Sequence, residues 1–110
     1  MPLDSINIES EVVRHLRVAR QYMSEHGWIQ NASRDMHGNV CTMGAIYATT
    51  PNEIQLRTRL HQSLVLALDA KLGFGCSVAA WNDLEGRTKE DVLKLYDDAI
   101  ELELSKAIVE

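Results

Sequence analysis

Apolar residues recur at helical spacing through most of the chain. Ile8, Val12, Leu16, Ala19 and Met23 follow one another three or four positions apart, which puts them on one face of a helix. The spacing predicts a helix over 8–26, with Arg14, Arg17 and Arg20 along another side. Gly27 suits the C′ position that ends it, because Gly takes left-handed backbone without steric cost. Trp28 then falls where it can pack back on Met23. A second stripe, Leu56, Leu60, Leu64, Ala67, Leu68 and Leu72, predicts a helix over 51–72. Thr50-Pro51-Asn52-Glu53 precedes it as a capping signature. Thr50 suits the cap, Pro51 the first helical position, and Glu53 the return bond to the cap's N–H. Gly73 ends this run, and Phe74 can fold back on it.

The third stripe is Val92, Leu95, Tyr96, Ala99 and Leu102, widened by Leu93, Ile100 and Leu104. It predicts a helix over 88–107, with Thr88 and Asp91 as its capping pair. Between the long runs, 43–49 reads as a short buried helix in which Gly44 and Ala45 let another backbone approach closely. Ser77 reads as the N-cap of a short turn over 78–82, which Gly86 breaks.

Residues 28–42 lack the helical period. They carry β-branched and aromatic residues at both ends and Asp35, Gly38 and Asn39 between. Gly38-Asn39 is a turn signal. The pattern predicts a small hairpin pairing 28–32 with 39–42, laid on helices because an isolated hairpin is marginal in water. The sum is an all-α fold. One domain over 1–110 holds four to five helices, packed as antiparallel neighbours where connections are short.

Composition sharpens this in three places. A chain of 110 residues can bury roughly two thirds of its unfolded surface, so a core is available without staples. Aromatics are scarce, six in all, and Trp28 and Trp81 are therefore both expected inside. The net charge is −5, and residues 83–110 hold nine acids against four bases. That is the wrong sign for a nucleic-acid binder, and the acidic run reads as a solvated helix face. Arg14, Arg17 and Arg20, with Arg57 and Arg59, are expected to pair within the molecule or face solvent. The N-terminus shows no signal-peptide pattern, and no stretch has the roughly 18–20 apolar residues of a membrane span. A cytoplasmic protein with Cys41 and Cys76 reduced is expected.

The densest chemistry lies in Ser77–Thr88, where Trp81, Asn82, Asp83 and Arg87 fall within one short span. Asp83 and Arg87 are expected to pair and pin the connection between helices. The alternative is that these groups line a cleft with Trp28. Cys41 precedes a helix start, where the dipole favours a thiolate, so a nucleophile aided by His37 or His61 is conceivable. The other reading of Cys41 is a small buried apolar residue. His26, His37, Cys41, His61 and Cys76 are too scattered for a metal motif, and neither metal nor cofactor is expected.

Three pieces in order carry a resemblance: Gly27-Trp28, then Cys41-x-x-Gly44-Ala45-Ile46, then Trp81-Asn82-Asp83-x-x-Gly86-Arg87-Thr88 followed by an amphipathic helix. The order resembles a family of small uncharacterised proteins of actinobacteria and their bacteriophages, over about residues 10–100. The resemblance implies a small cytoplasmic protein, phage-encoded and acting in a host cell. It brings no activity with it. The expected class is a non-enzymatic interaction module whose partner is a host protein, with no membrane and no nucleic acid. The alternative is a small enzyme or small-molecule binder using Cys41 and the Trp81–Arg87 region.

Overall fold

The three apolar stripes become three long helices because burying each stripe needs the other two. The computed structural model describes residues 10–109. Its elements are α1 (Glu11–His26), α2 (Thr42–Thr49), α3 (Ile54–Leu72), α4 (Val78–Asn82) and α5 (Lys89–Val109). Helix α5 lies against both α1 and α3, and α2 lies against α1, while α4 touches α2 and α3. The architecture is all-α: among the described residues there is no sheet. No described helix is long and apolar enough to cross a membrane.

The core is built from the stripes. Val13, Leu16 and Met23 of α1, Leu60, Leu64 and Leu68 of α3, and Val92, Leu95 and Ala99 of α5 are all buried. Each larger aliphatic side chain contributes about 1.5–3 kcal/mol on full burial. Ile8 lies outside the described residues. Ser10 caps α1, its Oγ accepting from the Val13 N–H at 3.1 Å. Two intramolecular ion pairs tie the acidic α5 to its neighbours, Arg20 with Asp97 and Lys71 with Asp98.

Several local expectations fail for identifiable reasons. Helix α3 begins at Ile54, not Pro51. Thr50 does not cap it; its Oγ1 is buried without a partner, and Glu53 holds the cap position with no side-chain bond. The corner is instead closed by Arg57, which donates to the carbonyls of Thr50 at 2.9 Å and Tyr47 at 3.3 Å. The Glu53 N–H turns back on Pro51 O at 2.6 Å. Gly73 ends α3 in left-handed backbone (φ 78, ψ 7), yet Phe74 stays 64% exposed and does not fold back. Gly27 has φ 115 with an extended ψ of 166, so it turns the chain outward from α1 and is not a left-handed cap.

The expected hairpin is not made. Val40 forms isolated bridges on both sides, parallel with Trp28 and antiparallel with Arg34. A parallel bridge requires the chain to loop round and return in the same sense, so 28–32 and 39–42 do not reverse on each other. Asp35 sets the loop, its Oδ1 accepting from the N–H of His37 at 2.9 Å and of Asn39 at 3.0 Å. Helix α2 follows directly. Its Gly44 is buried, and a Cβ there would overlap the Ser33 carbonyl oxygen, so the loop rests on bare helix backbone.

Candidate functional site

Ser77 accepts from the Ala80 N–H at 3.0 Å and starts α4. Five residues are too few for a helix to persist alone, so α4 is held by what it buries: Val78, Trp81 and Asn82. Asn82 is 1% exposed, and a buried amide must find partners for both its ends. Its Oδ1 accepts from Trp28 Nε1 at 2.7 Å, Thr42 N–H at 3.0 Å and Thr42 Oγ1 at 2.7 Å. Its Nδ2 donates to Ile29 O at 3.2 Å and Asp83 Oδ1 at 2.9 Å. One amide thus joins the 28–29 strand-like segment, the start of α2 and α4.

The network extends in both directions. Tyr96 of α5 is buried, and its hydroxyl donates to Thr42 O at 2.6 Å. Burial, and then the neighbouring Cys41, push the phenol's pKa up, so the proton it donates is firmly held. Gln30 Nε2 donates to the carbonyls of Asn82 at 3.0 Å and Leu84 at 2.8 Å. Asp83 Oδ1 also accepts from the Asn31 N–H at 2.8 Å, where Asn31 takes left-handed backbone at φ 67. That bond, and then the Asn82 amide, hold the Asp83 carboxyl below the usual carboxylate range.

Asp83 and Arg87 are not partners. The turn after α4, with Gly86 at φ 85, breaks helical spacing and sends the two side chains apart. Arg87 folds back over Trp81: its Nε donates to Trp81 O at 2.9 Å, and its guanidinium carbon lies 4.0 Å from the ring centroid. Its nearest carboxylate is Asp91, at 3.7 Å. Trp81 is 1% exposed, as expected. Trp28 is only partly buried, because its indole leans on the core while its N–H reaches Asn82.

Cys41 is the N-cap of α2, and its Sγ accepts from the Gly44 N–H at 3.2 Å. The sulfur is thereby given a backbone task, and neither His37 nor His61 hydrogen-bonds to it among the described residues. No group of three or more described His, Cys, Asp or Glu could hold a metal ion. Of the candidate residues, Trp28, Asn82 and Asp83 form one hydrogen-bonded cluster. Trp81 and Arg87 form a stacked pair beside it, and Cys41 sits one residue from Thr42. Thr42, Tyr96, Gln30 and Asn31 are members that sequence reasoning missed, Thr42 and Tyr96 being the buried ones. The available signal was a tyrosine inside an apolar stripe, whose hydroxyl needs a buried partner.

What the cluster can do chemically is limited by its own completeness. Its amide, hydroxyls and indole N–H are bonded to one another and to backbone. The open concavities lie elsewhere. One runs between α3 and α5, where Leu66, Ala70 and Leu102 meet Lys106. Another lies between α2 and the start of α3, lined by Met43, Tyr47, Ile54, Arg57 and His61.

A model of a protein family described as a family of unknown function (DUF6197) matches residues 8–102. No curated protein and no solved structure matches the chain.

Proposed function

The chain belongs to this family of unknown function (DUF6197), and we propose from its geometry that it is a non-enzymatic protein-interaction module. The observation that carries the reading is a division of labour. The polar residues that suggested chemistry are spent on holding the fold, while Tyr47 and Ile54 stand in solvent beside a groove. Exposed apolar side chains rimmed by polar ones are what a partner covers. The motif resemblance to actinobacteriophage proteins supports the finer version: a phage-encoded cytoplasmic protein that acts on a host protein. The excess of acids supports a partner other than nucleic acid.

The enzyme alternative, built on Cys41 and the Trp81–Arg87 region, has less behind it, since Cys41 caps a helix and Arg87 covers Trp81. The test pairs the full chain with its Cys41→Ser variant in affinity capture from an actinobacterial lysate. A specific protein retained equally by both supports the module. A partner or turnover lost only in Cys41→Ser would overturn it in favour of thiol chemistry.

A further inference from the structure

The groove between α2 and α3 combines an apolar floor with a fixed cation, in a molecule whose net charge is negative. Ile54 is 78% exposed and Tyr47 is 51% exposed, with Met43 between them and the core. Arg57 stands at the edge. Its Nη2 donates to the Thr50 and Tyr47 carbonyls and its Nη1 to Asn52 Oδ1 at 3.4 Å, and the guanidinium carbon lies 5.3 Å from the Tyr47 ring centroid. Arg20, Arg59, Lys71, Arg87, Lys94 and Lys106 each have a carboxylate within 4.0 Å; Arg57, like Arg34 and Lys89, has none among the described residues, and of these three Arg57 alone lines this groove. His61 adds a second basic group, and no carboxylate lines the groove. Glu53 precedes Ile54 in sequence but is not part of the lining. The groove by contrast between α3 and α5 has both signs at its rim, Lys71 and Lys106 with Asp98 and Glu103.

We propose that the α2–α3 groove is the docking site of the module and takes an acidic segment of a partner protein. An apolar side chain would rest on Ile54 and Tyr47, and a carboxylate would meet Arg57. This rests on the interaction reading above. Charge complementarity selects the occupant: a positioned guanidinium without a carboxylate of its own attracts one by its charge and its remaining Nη1 hydrogen, and the exposed Ile54 and Tyr47 call for an apolar neighbour beside it. The groove's volume of about 230 Å³ is below the roughly 300–1,000 Å³ of small-molecule pockets, which favours a side chain as guest. The acidic remainder of the surface acts against long polyanions. A short acidic segment feels mainly the charges within about 8 Å at physiological salt.

The test is selection of a random short-peptide display library on the full chain, followed by titration of the enriched peptides by fluorescence polarisation. The expected peptides place an aromatic or aliphatic residue beside Asp or Glu. Their affinity should fall about tenfold or more in Ile54→Glu, as for an anchor contact, and about two- to fivefold in His61→Glu. Both positions are exposed, and circular dichroism checks that the variants fold. Leu66→Glu should leave binding unchanged. Peptides without acidic bias, or bound equally by Ile54→Glu, would overturn this groove as the site. Peptides lost in Leu66→Glu instead would move docking to the α3–α5 groove and leave the interaction reading standing. Enrichment of nothing at all would overturn both.

Discussion

Trp28 and Asn82 stand 54 residues apart in the chain, and the indole N–H of the first donates to the side-chain oxygen of the second at 2.7 Å. The same oxygen accepts the N–H and the hydroxyl of Thr42. Both ends of the segment between α1 and α2, at Trp28–Ile29 and at Thr42, are therefore tied to one buried amide on a five-residue helix.

Asn82→Ala removes an acceptor from three donors at once. A buried donor left unpaired costs about 1–3 kcal/mol, so the expected loss is about 3 kcal/mol or more, read as a lower urea midpoint. A loss below about 1 kcal/mol would mean that water or rearrangement replaces the amide, and the network would not hold the fold.

Asp83 and Arg87 serve different partners, Asn31 and Trp81. A double-mutant cycle on Asp83→Asn and Arg87→Gln should therefore be additive within about 0.3–0.5 kcal/mol. Arg87→Gln alone uncovers the Trp81 ring and should cost about 1–2 kcal/mol. Strong coupling in the cycle would restore the direct pair.

Gly44→Ala sets two effects against each other. In a helix the change ordinarily gains up to about 1 kcal/mol. Here the new methyl overlaps the Ser33 carbonyl, which also accepts the Cys41 N–H at 3.0 Å. Overpacking of this kind costs about 1–3 kcal/mol, and a net loss in thermal stability is expected. A more stable variant would show that the 33–41 loop yields easily.

Asp83 and Asp91 are held below the usual carboxylate range, the first chiefly by the Asn31 N–H and the second chiefly by the Thr88 N–H. A carboxyl whose pKa is lower folded than unfolded contributes fully above the unfolded value and loses its contribution as pH falls through the folded one. Stability should therefore be level above about pH 4–5 and fall below it. The fall should be shallower in Asp83→Asn and in Asp91→Asn. Identical acid profiles for the variants and the parent would assign the effect to other groups.

The helical stripes were legible because period is a local property: Leu16, Leu64 and Leu95 declare their faces without reference to anything distant. Ser77 and the reciprocal pair of Thr88 and Asp91 belong to the same class, since a cap bonds within its own first turn; Ser10 was missed because the apolar stripe was read as starting at Ile8, ahead of the cap. Thr50 misled because its capping signature competes with a side chain from the next turn, Arg57, that no local rule includes. Asp83 and Arg87 misled because four-residue spacing presumes a helix that Gly86 interrupts. The cluster at Asn82 was half visible. Its polar residues marked the place, but Thr42 and Tyr96 come from 40 residues before and 14 after, and only the packed fold brings them in.

The five-residue α4 has a kinetic consequence. Closing a loop of about fifty residues carries an entropy cost that grows with the logarithm of its length, and α4 offers no stable local structure to prepay it. The long helices can meet through α1, α3 and α5 before Asn82 finds Trp28 and Thr42. The amide junction should then form after the rate-limiting step. Asn82→Ala should leave the refolding rate nearly unchanged and accelerate unfolding. The amide junction at Asn82 would act as a late latch, setting how long the folded molecule lasts and not how fast it is reached.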